Sequence, residues 1–381
     1  MEEERSVARR KLGSGTRMRS LDGLRAVSIA LVLLGHLHGT RGFPNLASPI
    51  GDYAHLGVVV FFVISGFLIT TLLIDEASAH GGISLKLFYA RRSLRIFPVS
   101  YMYLLVMVAL AGWGTVRLSV SDLICAATYT VNYLPGRSWD VGQLWSLSVE
   151  EQFYLLWPFT FAFLRPCKRV WAVAGVLLFA VLARAGARVF LYGTPYYELE
   201  MFPMVADSLA AGCLLAISRT ELEEQKWYLK LLRPWPSAII LAVVLLLNRY
   251  AGYTVDAVFG SSLINIGLAV LVHRCVYYAD GPLGKLLNWR GLRFIGVLSY
   301  SLYIWQQPFL NRSSEAWFNR FPQNLLLVFA AAFVSYFLLE KPLMAFRSRL
   351  RRQSVAKPDR RSALRHESTL LDQVVKNEVV E

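Results

Sequence analysis

Apolar stretches long enough to cross a bilayer recur along most of the chain, each closed off by a short polar or basic turn. A spanning helix needs about 20 mostly apolar residues, because lipid offers the backbone no partners and the helix must satisfy its own N–H and C=O groups. The pattern predicts ten such segments, over residues 21–37, 56–74, 94–111, 144–164, 171–190, 203–218, 237–247, 257–277, 294–310 and 325–339. The seventh is the shortest. The fold expected is therefore all-α, a polytopic membrane helix bundle of about ten segments filling residues 18–345. A basic tail over residues 1–17 precedes it, and a polar tail over residues 346–381, of disordered character, follows it.

Composition supports this and narrows it. The 381 residues are 55% hydrophobic and only 17% charged, well below the quarter or so usual in soluble domains. The first apolar segment carries Arg25 and lacks a small-residue cleavage site, so no cleavable signal peptide is expected. The four cysteines stand far apart with no CxxC, which speaks against zinc or a redox dithiol, and no metal site is expected. A net charge of +14 could suggest a nucleic-acid partner, but its distribution says otherwise. With the amino terminus in the cytoplasm and ten crossings, thirty of the 40 Lys and Arg fall on the cytoplasmic side. That is the positive-inside bias of a plasma-membrane protein with both termini cytoplasmic. The excess charge reads as topology, and the basic carboxy-terminal tail from Arg347 is expected to lie against anionic lipid headgroups or in solvent.

Within this apolar frame, charged residues are costly and therefore informative. Arg25 and His36 lie eleven residues apart in the first segment, which returns a helix to within about 20° of its starting face. Their side chains share one stripe, separated by about 16 Å of rise. Three further clusters fit the same frame. Arg91, Arg92 and Arg95 stand at the cytoplasmic mouth of the third helix, where a helix amino terminus and guanidinium groups suit phosphate; an ordinary positive-inside anchor is the competing reading. Glu150, with Glu151 beside it, lies about a turn inside the fourth segment, at a depth like that of His36. A carboxylate–imidazole pair there would fix the ring tautomer and raise its basicity for deprotonating a hydroxyl. Ser65-Gly66, in mid-membrane, would let another helix or an elongated ligand approach closely. Ser65 has no adjacent base and no GxSxG, which argues against a nucleophile.

Taken together, these segments resemble the acyltransferase-3 family of integral membrane O-acyltransferases. The resemblance rests on Arg25-x10-His36, on Gly57 to Phe67 (GV-x-x-FF-x-x-SGF), and on Arg91 to Pro98 (RR-x-x-RI-x-P). It continues through Trp145 to Tyr154 (WSLS-x-E-x-x-FY), Ser299 to Trp305 (SYS-x-Y-x-W) and Glu340-Lys-Pro342. These motifs fall in order over residues 18–345. The resemblance implies transfer of an acyl group, usually acetyl, from cytoplasmic acyl-CoA to a hydroxyl of a sugar, cell-surface glycan or lipid-linked intermediate. It implies acetyl-CoA as co-substrate, with no tightly bound cofactor. On that analogy Arg25, Arg91, Arg92 and Arg95 would hold the CoA phosphates, with Ser65 along the donor's path. His36, oriented by Glu150, would act as general base or relay the acyl group.

Two departures stand out: Val59 where many members carry an acid, and Gln306 where many carry a second histidine. The second leaves His36 as the main base. Acceptor contacts are expected from aromatic residues near the outer side, Trp139, Trp145 and Tyr154, with Trp113, Tyr129, Tyr133 and Trp317 in the loops; interfacial anchoring explains such residues equally well. The tail after the last segment leaves no room for a fused esterase-like domain, so direct transfer or handover to a separate protein is expected. A small acceptor such as a macrolide, or a polytopic transporter, are the alternatives. A transporter commonly shows an inverted repeat, and none is evident.

Overall fold

The structure, a computed structural model, describes residues 18–44, 53–250 and 256–345. The expected tails over residues 1–17 and 346–381 lie outside the described residues. Ten helices of 13 or more residues occupy the ten expected positions, and no strand occurs among the described residues. They are α1 (Arg19–Leu37), α2 (Tyr53–His80), α3 (Leu85–Gly112), α4 (Leu144–Phe163) and α5 (Pro166–Phe190). The remainder are α6 (Phe202–Glu224), α7 (Pro234–Tyr250), α8 (Ser261–Tyr277), α9 (Arg290–Trp305) and α10 (Gln323–Ser335), the last continued by a π-helical turn over Tyr336–Glu340. Seven of these helices are long and apolar enough to cross a membrane; α7 is apolar but shorter. Of the other two, α4 is diluted by Ser146, Ser148, Glu150, Glu151 and Gln152, and α9 has only 16 residues. The molecule is a helical membrane bundle, and large apolar side chains such as Leu155, Phe159, Phe163, Leu178 and Phe179 are exposed on its periphery, where lipid rather than water suits them.

Several boundaries differ from the sequence reading, two of them next to candidate site residues. Helix α3 begins nine residues earlier, at Leu85, where Ser84 caps it by accepting from the Leu87 N–H at 3.4 Å. Arg91, Arg92 and Arg95 therefore sit inside the helix, two to three turns from its start, and not at its mouth. Helix α9 stops at Trp305, and Pro308, which has no N–H to extend the ladder, lies just beyond.

Small residues set how closely the central helices meet. Gly66 of α2 lies against the Leu209 carbonyl of α6, and Gly212 of α6 lies against Val63 and Phe67 of α2, so a Cβ at either position would overlap backbone. This reciprocal contact is the close approach that Ser65-Gly66 predicts, and it is how membrane helices replace the hydrophobic drive they lack in lipid. Gly57 packs on α1 and Gly296 of α9 on the Asp22 carbonyl in the same manner. Helices α1, α2, α6 and α9 thus form a tight centre. Around it pack Phe62, Phe67, Tyr103 and Phe161, each almost wholly buried.

Candidate active site

At the centre, α1, α2, α3, α4 and α9 enclose a cavity with about 760 Å³ of space free of atoms, part of it open to the surroundings. Its lining presents three guanidinium groups, Arg25, Arg92 and Arg95, and one carboxylate, Glu150. Arg25 comes from the early turns of α1. Arg92 and Arg95, three residues apart, come from one face of α3. The hydroxyls of Ser65, Tyr154, Tyr300 and Tyr303 complete the polar wall, and Phe61, Phe62 and Leu68 form the apolar one.

The polar groups are ordered. The Ser65 hydroxyl donates to Glu150 Oε1 at 2.6 Å, and the Tyr154 hydroxyl reaches Ser65 Oγ at 3.5 Å. The Arg92 guanidinium lies 4.7 Å over the Tyr154 ring, a cation–π contact that strengthens where water is scarce. Behind the cavity, Ser301 donates to the buried carboxylate of Glu340, joining the last two sequence motifs. Arg91 departs from the expected set: it pairs with Glu76 of α2 at 2.8 Å and does not line the cavity. Glu76 also accepts from the Ser84 N–H at 2.9 Å, fixing the α2–α3 corner.

His36 sits at the other end of α1, half-buried, and its partner is not the expected one. Nδ1 lies 3.0 Å from Gln306 Oε1, whereas Glu150 is taken by Ser65. The reason is depth. His36 is one residue from the end of α1, while Glu150 is six residues, about 9 Å of rise, inside α4. Trp139 meets the His36 ring edge-on at 5.8 Å and donates its indole N–H to the Gln307 carbonyl at 2.8 Å. On the wall of the arginine cavity, Tyr303 donates to the Gln143 carbonyl at 3.0 Å and lies 2.6 Å from Ser146 Oγ. Asp140, in the short helix Trp139–Gly142 beside this cluster, has its carboxyl pushed above the usual carboxylate range by burial.

The expected acceptor aromatics divide. Trp139 stands beside His36. Trp145 is buried, stacked on His55 at 6.0 Å and edge-on to Phe62 at 5.9 Å. Tyr154 belongs to the arginine cavity. In the loops, Tyr129 stacks on Phe97 at 5.4 Å, while Trp113 and Trp317 are exposed.

Sequence reasoning passed over two features. One is Gln306 as the partner of His36. The other is a second cavity, bordered by His55, Glu198, Asp207 and Asn265, whose wall includes Phe62 of the first. There Arg184 of α5 meets Asp207 of α6 at 2.9 Å and donates to Ser262 Oγ at 2.6 Å and the Val258 carbonyl at 3.1 Å. The signal was present: a cation and an acid, each inside an apolar segment, suggest each other as partners. Among the described residues no group of three or more His, Cys, Asp or Glu is placed to hold a metal.

An all-helical membrane bundle with an arginine-lined cavity at its centre defines the class of protein. The chain belongs to the acyltransferase-3 family: the model described as an acyltransferase domain matches residues 18–340. It is similar to YrhL of Bacillus subtilis, provisionally named a peptidoglycan O-acetyltransferase, at 28% identity over 369 residues, covering 87% of this chain and 56% of YrhL. It is also similar to the peptidoglycan O-acetyltransferase OatA of Listeria monocytogenes, at 27% identity over 358 residues, covering 85% of this chain and 55% of OatA. The chain thus spans about half the length of these relatives. No solved structure matches it.

Proposed function

We propose that this chain is a membrane O-acyltransferase that moves an acyl group, acetyl on the strength of its relatives' names, from acyl-CoA to a hydroxyl of a cell-wall glycan. The observation that carries the reading is the cavity in which Arg25, Arg92 and Arg95 converge. Guanidinium groups held in a partly dry site are good partners for phosphate oxygens, through short charge-assisted hydrogen bonds. Arg25 shares its helix face with His36, about 16 Å away, a distance that an extended pantetheine arm can span. The loop charges support a plasma-membrane protein with both termini cytoplasmic, which gives the arginine cavity the side on which acyl-CoA is made.

The reaction this arrangement suits is direct transfer. The imidazole Nε2 of His36 takes the proton of the acceptor hydroxyl as its oxygen attacks the thioester carbonyl carbon. The C–S bond then breaks, and the CoA thiolate leaves and is protonated. Glu150 orders Ser65 and balances the guanidinium groups, and Arg91 serves the α2–α3 corner. Trp139 beside His36 offers a ring for a sugar face.

The test is transfer of radiolabelled acetyl from acetyl-CoA to glycan strands lacking O-acetyl groups, using the full chain in lipid nanodiscs. Transfer by the wild type and none by His36→Ala is the expected result. Equal transfer by His36→Ala would remove His36 from the chemistry, and uptake of acetyl-CoA into sealed proteoliposomes without any transfer would favour a transporter.

A further inference from the structure

The ring of His36 is held by a neutral amide. Gln306 follows the last residue of α9 and is fully buried, with Oε1 3.0 Å from His36 Nδ1. An amide oxygen can only accept, so in this arrangement Nδ1 carries the ring proton and Nε2 keeps its lone pair. The turn that carries Gln306 is itself tied down from two sides. Trp139 donates to the Gln307 carbonyl at 2.8 Å, and the Gln143 amide donates to the Ile304 carbonyl at 3.0 Å. The far end of the Gln306 amide is unfinished: Nε2 is buried with no partner, as are Gln307 Oε1 and Gln143 Oε1. Buried polar atoms left unpaired cost about 1–3 kcal/mol each.

We propose that Gln306 is the positioning residue of His36: its carbonyl fixes the imidazole as the Nδ1–H tautomer, so that Nε2 faces the acceptor hydroxyl. The inference rests on the reading of His36 as base. A carboxylate in this place would orient the ring and also stabilise the imidazolium formed when the hydroxyl proton arrives. The amide orients without adding charge to an apolar setting where a further buried ion would be costly. A lone pair of the hydroxyl oxygen thus forms the new bond to the acyl carbon while Nε2 receives the hydroxyl proton and Nδ1 keeps its own, and the C–S bond breaks to release the CoA thiolate.

Two variants and one spectroscopic measurement test this. Gln306→Met keeps the length and removes the acceptor, and its kcat is expected to fall about 10- to 100-fold with KM for acetyl-CoA unchanged. Gln306→Glu restores an acceptor oxygen and is expected to recover most of that loss. Wild-type kcat in Gln306→Met, or a rise in KM that accounts for the whole loss, would overturn the proposal. Histidine-labelled wild-type protein gives a reading independent of folding in the variants. Its nitrogen-15 NMR spectrum, with the His36 signals identified by their loss in His36→Ala, is expected to show a protonated Nδ1 and a bare Nε2; the reverse tautomer sinks the inference. If His36→Ala transfers as well as wild type, the base reading itself falls. If His36→Ala is inactive while Gln306→Met is fully active, only the role of Gln306 falls.

Discussion

Ser65 of α2 donates its hydroxyl proton to Glu150 of α4 at 2.6 Å, and this bond assigns the acid to the arginine cavity and not to His36. Ser65 and Glu150 are 85 residues apart in sequence, and both line the space where Arg25, Arg92 and Arg95 converge. Glu150 is the one carboxylate in that lining, so its charge opposes any anionic ligand that enters.

Removing that charge should help such a ligand bind. Glu150→Gln keeps an acceptor for Ser65 while deleting the negative charge, and is expected to tighten acetyl-CoA binding by about 2- to 10-fold, since unit charges near one another interact by a kcal/mol or more in this setting. Titration calorimetry on the nanodisc-embedded protein checks it. Weaker binding in Glu150→Gln would mean that Glu150 holds the guanidinium groups in place more than it repels the ligand.

The arginines should separate by position and not by charge. Arg25→Ala or Arg92→Ala is expected to weaken acetyl-CoA binding about 10- to 100-fold, as loss of a charge-assisted hydrogen bond costs about 1.5–3 kcal/mol. Arg91→Ala, already paired to Glu76 at 2.8 Å, should change it by less than about threefold. Arg91 is half-buried, turned to Glu76 and outside the cavity. An Arg91→Ala variant that loses binding as fully as Arg92→Ala would contradict the placement of the site.

Close helix contact at the centre gives a stability prediction. A side chain at Gly66 would run into the Leu209 carbonyl and the backbone of Cys213. Gly66→Val is expected to lower the thermal midpoint of the purified protein strongly, in line with the roughly 1–3 kcal/mol or more that overpacking costs. Gly175→Ala, where a Cβ meets nothing within 4 Å, should leave the midpoint unchanged. Equal melting of the two variants would argue against the α2–α6 contact.

A pH dependence follows from Asp140, whose carboxyl is raised above its usual range by burial. Such a group binds its proton more tightly folded than unfolded. Its contribution to stability is full below the unfolded value of about 3.9 and is lost as pH rises through the folded value. Asp140→Asn is therefore expected to match wild type in thermal midpoint near pH 4 and to exceed it near pH 7. Melting curves at the two pH values decide it, and an equal shift at both would remove burial as the cause.

Much of the bundle was legible in the sequence, because hydropathy and the positions of Gly, Pro and charge are local signals. All ten long helices fall at expected places, and the Ser65-Gly66 step marks the close approach of α2 to α6. The site was legible as a set of residues and not as a set of pairs. Arg25, Arg92, Arg95, Ser65 and Glu150 meet in one cavity, yet Arg91 turned to Glu76 and His36 to Gln306. Arg91 and Arg92 are neighbours in sequence, but on a helix adjacent residues diverge by about 100°, so only one of them can face the cavity. Trp145, at a motif position, stacks on His55 and meets Phe62 edge-on.

The sequence by itself determined a membrane helix bundle, its order of segments, and the stripe that sets Arg25 and His36 on one face of α1. Each of these depends on periodicity and composition within a single helix. Only the tertiary structure decided which groups share a cavity and what holds the imidazole. Those relations depend on the depth and rotation of helices far apart in the chain, such as His36 and Gln306, 270 residues apart, and such quantities are fixed by packing between helices rather than by any local run of residues.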